Sequence, residues 1–306
     1  MGFGDQFLIE PALFPARCAG VPGGDLDLAI DVPGGPFLLM GLSPLQCEHL
    51  VDRYAERCLG PEAAAEAFAI QIFKVGSGEF HRIEREGWVN TFEFDYNQST
   101  VRVAGNRLMG QLTWRPRLAA TLWTPLEERA EFLEAFENFF RTVVAYRLLE
   151  RGGAVIHSAG VVDRDRAFIF YGHSGAGKTT LARRCQQAGR KVLSDDINAL
   201  YLEAGAPVAA KMPFAGEFGH SNERVGPFPL AGLHHIEQAP VDSWRPLSPA
   251  ASVASLVSCA PFLNHDPYRL PTLIGNLEAI VKSTTAGRLS CSLDGDLWAT
   301  LERCEA

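Results

Sequence analysis

Residues Gly172-His173-Ser174-Gly175-Ala176-Gly177-Lys178-Thr179-Thr180 carry the spacing G-x-x-x-x-G-K-[ST]. Each residue type at that spacing answers a need of phosphate chemistry. The glycines allow positive φ and a close approach of the main chain to a ligand. Successive N–H groups at a helix N-terminus make a nest for an anion. A lysine supplies a point charge to the outer phosphates, and Thr179 offers a hydroxyl to Mg²⁺.

The flanking text fits a loop set between a strand and a helix. Ala167–Tyr171 is a short apolar run, expected as a buried strand. Thr180–Ala188 is made of helix formers and stops at Gly189, a helix-ending residue. A second apolar run ends at Val192-Leu193-Ser194, and Asp195-Asp196 follows at once. Open α/β sheets place ligands at such strand ends. One carboxylate can bind Mg²⁺ while the other accepts the proton of an attacking hydroxyl. Upstream, Ala154–Val162 is expected as a strand interrupted by His157 and Gly160.

His157–Val161, the phosphate loop and Gly189–Asp196 together resemble the core of HPr kinase/phosphorylase and its kinase relatives, related in fold to ATP-dependent phosphoenolpyruvate carboxykinase. The resemblance covers about forty residues. It implies an α/β, P-loop kinase domain with a mixed central sheet, using ATP and Mg²⁺ to phosphorylate a serine. It implies Asp195 as the base, Lys178 on phosphate, Thr179 and Asp196 at the metal, and His157 in the active site. A downstream glutamate also belongs to the family's site. Glu217 is the candidate for it, as a metal ligand, and Glu223 is the rival.

The chain also departs from the family. The bifunctional members have a Glu-x-Arg-Gly segment, and Asn222–Gly226 is only a loose echo of it. Neither phosphorolysis nor HPr as acceptor is therefore carried over. The expected acceptor is a protein or peptide bearing serine, and relatives that tailor natural-product peptides, including lasso peptides, make a peptide attractive. Two other classes stay open: a nucleotide-binding regulatory module without catalysis, and a small-molecule, carboxykinase-like phosphotransferase. Parent-family enzymes form hexamers, but this chain has a different N-terminal half, so its oligomeric state is left open.

Composition narrows the setting. The chain has 306 residues, of which 47% are apolar and 21% charged, as expected of two folded domains. Its net charge of −8, with no lysine run, argues against nucleic acid and anionic membranes as partners. Met1–Asp5 lacks the basic and apolar regions of a signal peptide, and no apolar run reaches about eighteen residues. The seven cysteines include no Cys-x-x-Cys pair. Reduced thiols and a cytoplasmic location are expected. His234-His235 has no further ligand at metal spacing and is expected to be structural or at the surface.

The elements that would position the site are less regular. Residues 1–148 are expected as a smaller, mostly antiparallel α+β domain, with possible acceptor recognition, and 149–306 as the kinase-like domain. Short strands are expected at Leu26–Ile30, Phe37–Met40, Ala67–Val75, Trp88–Tyr96, Thr100–Ala104 and Met109–Trp114. A helix from Pro44 to Leu59 is capped by Ser43. Pro125–Leu149 is a longer helix with a stripe of Leu133, Phe136, Phe140, Val143 and Val144. After Asp196, strands are expected at Ile197–Leu202, Leu233–Glu237 and Arg288–Leu293. Helices are expected at Ser252–Ser258, at Pro271–Ser283 and after Asp296, and residues 239–249 are expected as a loop.

Overall fold

The computed structural model describes residues 7–8, 21–76, 92–105, 107–114, 117–125, 127–214, 216, 218, 225–292 and 295–305. The fold is α/β with mixed sheets. The chain divides into two compact units, Phe3–Arg147 and, in the main, Leu148–Ala306.

The first unit carries β1 (Phe7–Leu8), β2 (Val21–Pro22), β3 (Leu26–Ile30), β4 (Phe37–Leu42), α1 (Pro44–Tyr54), β5 (Phe68–Lys74), β6 (Glu93–Tyr96), β7 (Thr100–Gly105), β8 (Leu108–Thr113) and β9 (Ala119–Thr124). The helix α2 (Arg129–Glu150) follows and ends at the unit boundary. The strands form one sheet in the order β1-β6-β7-β8-β9-β5-β4-β3, with β2 on β5. Most pairs are antiparallel, as expected, but β9, β5 and β4 run parallel at its centre. β9 was not foreseen, and most of the expected Trp88–Tyr96 strand lies outside the described residues.

Local chemistry explains the helices. Ser43 caps α1 and Gln46 returns the bond to the Ser43 N–H, at 3.2 and 3.1 Å. The helix stops at Tyr54, short of the expected Leu59, because the chain turns to join β3. There Cys58 bridges Ile30, and the Leu59 N–H bonds Ala29 O at 2.9 Å. On α2 the buried face is wider than the expected stripe. Phe132, Phe136, Phe139 and Phe140 are wholly buried, whereas Leu133 is only half-buried. Gly110 lets the Phe139 ring lie on the sheet, since a Cβ there would meet it at 2.2 Å. Arg53 and Glu137 form a buried ion pair at 2.5 Å.

The second unit carries β10 (Ala154–Asp163), β11 (Arg166–Tyr171), α3 (Lys178–Gln187), β12 (Lys191–Ser194), β13 (Ile197–Glu203), β14 (Ala206–Lys211), β15 (Phe228–Gln238), β16 (Ser243–Pro246), α4 (Pro249–Ser258), α5 (Leu270–Lys282), β17 (Thr285–Cys291) and α6 (Leu297–Glu305). β14 was not foreseen, and β16 lies inside the expected 239–249 loop. Its Trp244 pairs with Leu289 and packs on the core, which draws this Pro-rich segment into the sheet.

The sheet order is β11-β10-β13-β14-β15-β17-β16, with β12 on β10 and a further pairing of β11 with β15. Five strands therefore close a ring, β10-β13-β14-β15-β11. β10 makes this possible by changing partners. Residues 154–157 pair with β13, and residues beyond them pair with β11 and β12. On one face Phe168, Phe170, Ile236 and Leu289 pack against Leu181, Ala182 and Cys185 of α3 and Trp298 and Leu301 of α6. Among the described residues, no helix is long and apolar enough to cross a membrane.

His234 belongs to this apolar face. It stacks on Phe170, its Nδ1 accepts the Trp244 Nε1–H at 3.2 Å, and burial pushes its pKa down to about 3. The folded protein therefore keeps this imidazole neutral at pH values where the unfolded chain takes up a proton. Its contribution is whole above pH 6.5 and is lost as pH falls from there towards 3. Urea unfolding is expected to show about 2 kcal/mol lost to this group near pH 5. His234→Gln, which keeps an acceptor for Trp244 but does not titrate, should flatten that part of the profile.

Candidate active site

The phosphate loop joins β11 to α3, as the glycine spacing requires. Gly175 and Gly177 have φ of +81° and +101°, a region costly for other residues. A Cβ at either would meet nothing within 4 Å, so the hollow of the loop is open on that side. The Ala176 N–H closes a turn on His173 O at 3.2 Å, and Gln238 Nε2 donates to Gly175 O at 2.9 Å. Gly172 and Ala176 are buried. His173, Ser174, Gly175 and Thr180 are exposed, and Gly177 and Thr179 are half-buried.

Lys178 opens α3 and is buried at 6% exposure. Its Nζ donates to Gly172 O at 2.9 Å and His173 O at 3.1 Å. Burial pushes its pKa down, while the neighbouring Cys259 thiol and Asp196 carboxylate push it up. The lysine thus lies within electrostatic reach of the second aspartate.

Asp195 and Asp196 form the turn between β12 and β13. Ser194 shapes it by accepting the Asp196 and Ile197 N–H groups at 3.1 and 3.3 Å. Asp195 is buried, and its Oδ1 accepts the Phe218 N–H at 3.5 Å. Gly216 passes so close that a Cβ there would stand 2.1 Å from Asp195 Oδ1. Asp196 Oδ1 is 3.2 Å from His157 Nδ1, an ion-pair separation without hydrogen-bond alignment. The structure therefore brings Lys178, Asp196 and His157 together beside the loop. Glu217 and Glu223 lie outside the described residues.

Three contributors were not singled out from the sequence. Asn198 Nδ2 donates to Ser158 O at 2.8 Å and Ser158 Oγ at 3.0 Å, and its side chain lies over Gly160, where a Cβ would meet Oδ1 at 2.5 Å. This accounts for the glycine in β10. Cys259, at the end of α4, accepts the His157 N–H on its carbonyl at 2.7 Å and a hydrogen bond from the Gly172 backbone on its thiol, whose pKa burial raises. Gln238 is the third. None had a local signal, since each acts through a partner distant in sequence. Arg269, in the polar loop before α5, is buried and 3.4 Å from the buried Asp266.

The donor set suits one kind of metal. Among the described residues no three His, Cys, Asp or Glu side chains cluster closely enough to hold an ion. Mg²⁺ does not need such a cage, because it takes one or two carboxylates and completes its shell with water and phosphate oxygens. Thr179 and Asp196, beside an open phosphate cradle, fit that requirement.

No protein-family model matches the chain, and comparison with curated proteins finds no match.

Asn198→Ala is expected to destabilise the protein by about 1–3 kcal/mol in urea unfolding, because Ser158 loses two buried donor contacts. Asn198→Asp, which donates nothing when ionised, should be at least as damaging. Stability unchanged in both would show that the side chain does not hold β10 at Ser158.

Proposed function

We propose that the chain is an ATP- and Mg²⁺-dependent kinase of the HPr kinase-like type, transferring the γ-phosphoryl group to a serine hydroxyl of a protein or peptide. The observation that carries this reading is the meeting of Lys178, Asp196 and His157 at an open phosphate loop, with the buried Asp195 next in sequence. A cradle for phosphate needs a loop and a lysine. Two adjacent carboxylates and an imidazole beside it are more than holding a nucleotide requires.

The roles follow from the chemistry of the groups. The loop N–H groups and Lys178 hold the phosphate chain and offset its negative charge. Lys178 exchanges the carbonyls of Gly172 and His173 for phosphate oxygens. Thr179 and Asp196 would hold Mg²⁺, which supplies charge neutralisation to the transferring group. Asp195 takes the proton of the acceptor hydroxyl as the new O–P bond forms and the bond to the β-phosphate oxygen breaks. His157 orients Asp196.

The test is direct. With labelled ATP, Mg²⁺ and a panel of serine peptides, Asp195→Asn is expected to lower turnover by about 10²–10⁴-fold while leaving nucleotide affinity within a few-fold of the parent. Lys178→Ala is expected to weaken nucleotide binding itself. Equal phosphate transfer by the parent and Asp195→Asn proteins would remove Asp195 as base. Nucleotide binding with no transfer to any acceptor would point to a regulatory module.

A further inference from the structure

The flank of the phosphate loop away from the aspartates is built around positive charge. β11, β15, β17 and β16 lie side by side, and their registers align Tyr171 with His235, His235 with Arg288, and Arg288 with Arg245. Register partners project from the same face of a sheet. The four side chains therefore form one row, beginning at the residue just before the loop. The Tyr171 and His235 rings meet edge to face at 5.5 Å. The next row on the same face holds Glu237, Ser290 and Ser243.

Two arginines directly opposite on one face repel each other, and such pairs are unfavourable in a sheet. Glu237 offsets only part of this charge. It lies 3.3 Å from Arg288 Nη1 and also accepts Ser290 Oγ–H at 2.9 Å. Among the described residues, Arg245 has no carboxylate partner, and Arg288 Nε and His235 Nδ1 have no hydrogen-bond partner. Arg245 is exposed and Arg288 is 34% exposed, so solvent reaches the row. With strands about 4.8 Å apart, Arg288 and Arg245 stand roughly 10 and 14 Å from the strand that feeds the loop. A phosphate gripped by the loop itself is too near to satisfy them.

We infer that His235, Arg288 and Arg245 form a second anion-binding subsite beside the phosphate loop, for a phosphate or carboxylate group. The two guanidinium groups suit the planar or tetrahedral oxygens of such a group. Its source is either a charged group of the acceptor or a part of the nucleotide beyond the loop. The inference goes beyond the proposed phosphoryl transfer and does not require it.

The experiment titrates inorganic phosphate into protein carrying isotope-labelled histidine and follows His235. A saturable shift is expected in the parent and in Lys178→Ala, and roughly five- to tenfold weaker binding in Arg245→Ser. Arg245→Ser removes an exposed side chain and should leave the fold intact, which the unperturbed signal of buried His234 would verify. A His235 signal that does not respond, or responds equally in Arg245→Ser, would overturn the subsite. A response lost only in Lys178→Ala would also overturn it, by assigning the effect to the loop. ATP affinity that falls with Arg245→Ser identifies the nucleotide as the source of the anion, and unchanged ATP affinity alongside weakened phosphate binding assigns the subsite to the acceptor. Because the readout is binding at His235, an absence of kinase activity leaves it standing.

Discussion

The arrangement depends on one backbone requirement, at His157 and Ser158. β10 changes sheet partners there, and a strand that does so must still satisfy its buried N–H groups. The His157 N–H goes to Cys259 O at 2.7 Å, and the Ser158 N–H goes to Asp196 O at 2.9 Å. These two bonds tie the end of α4 and the double-aspartate turn to one point of the strand. The imidazole of His157 stands beside Asp196, and the Cys259 thiol meets the Gly172 backbone at the base of the loop. The interior of the second unit is thus organised by hydrogen-bond satisfaction as much as by apolar burial.

Around that point the two flanks of the loop differ in charge. Towards β12 and β13 lie the carboxylates of Asp195 and Asp196. Towards β15, β17 and β16 lie His235, Arg288 and Arg245. The loop, with its amides and Lys178, separates an acidic side from a basic one. The opposite face of the same strands is apolar, and the alternation of His234 with His235 shows how sharp the division is. One imidazole is stacked among aromatic rings, while the next meets the Tyr171 ring and belongs to the polar row, and burial lowers the pKa of both.

Reading the sequence served best where the determinants are local. The loop's glycines, the helix that follows it, the strand before it and the Asp-Asp turn are set by neighbours in the chain, and each has its expected element. Ser43 announced α1, but the end of that helix depended on a bridge to Ile30, far upstream. β16 was hidden by the prolines around it, because its strand character comes from Trp244 packing beside His234. The parallel core β4-β5-β9 and the unforeseen β9 and β14 are likewise matters of partner choice. In the site, Asn198, Cys259 and Gln238 act through groups that the chain brings close only after folding. Gly160 reads in sequence as an interruption of its strand, and only the approach of Asn198 gives it a reason, as the approach of Asp195 does for Gly216.

The closed ring of five strands also sets an order in time. β10, β11, α3, β12 and β13 follow one another in the chain, so the loop and the double-aspartate turn join near neighbours, whereas the His157 N–H waits for Cys259 O, which comes after β15. β15 comes much later, and pairing it beside β11 closes a long stretch of chain, a step that slows folding. Synthesis therefore delivers the strands of the acidic flank before those of the basic one. Until β15 arrives, Gly175 lacks Gln238, one edge of β11 is bare, and the loop has support from one side only.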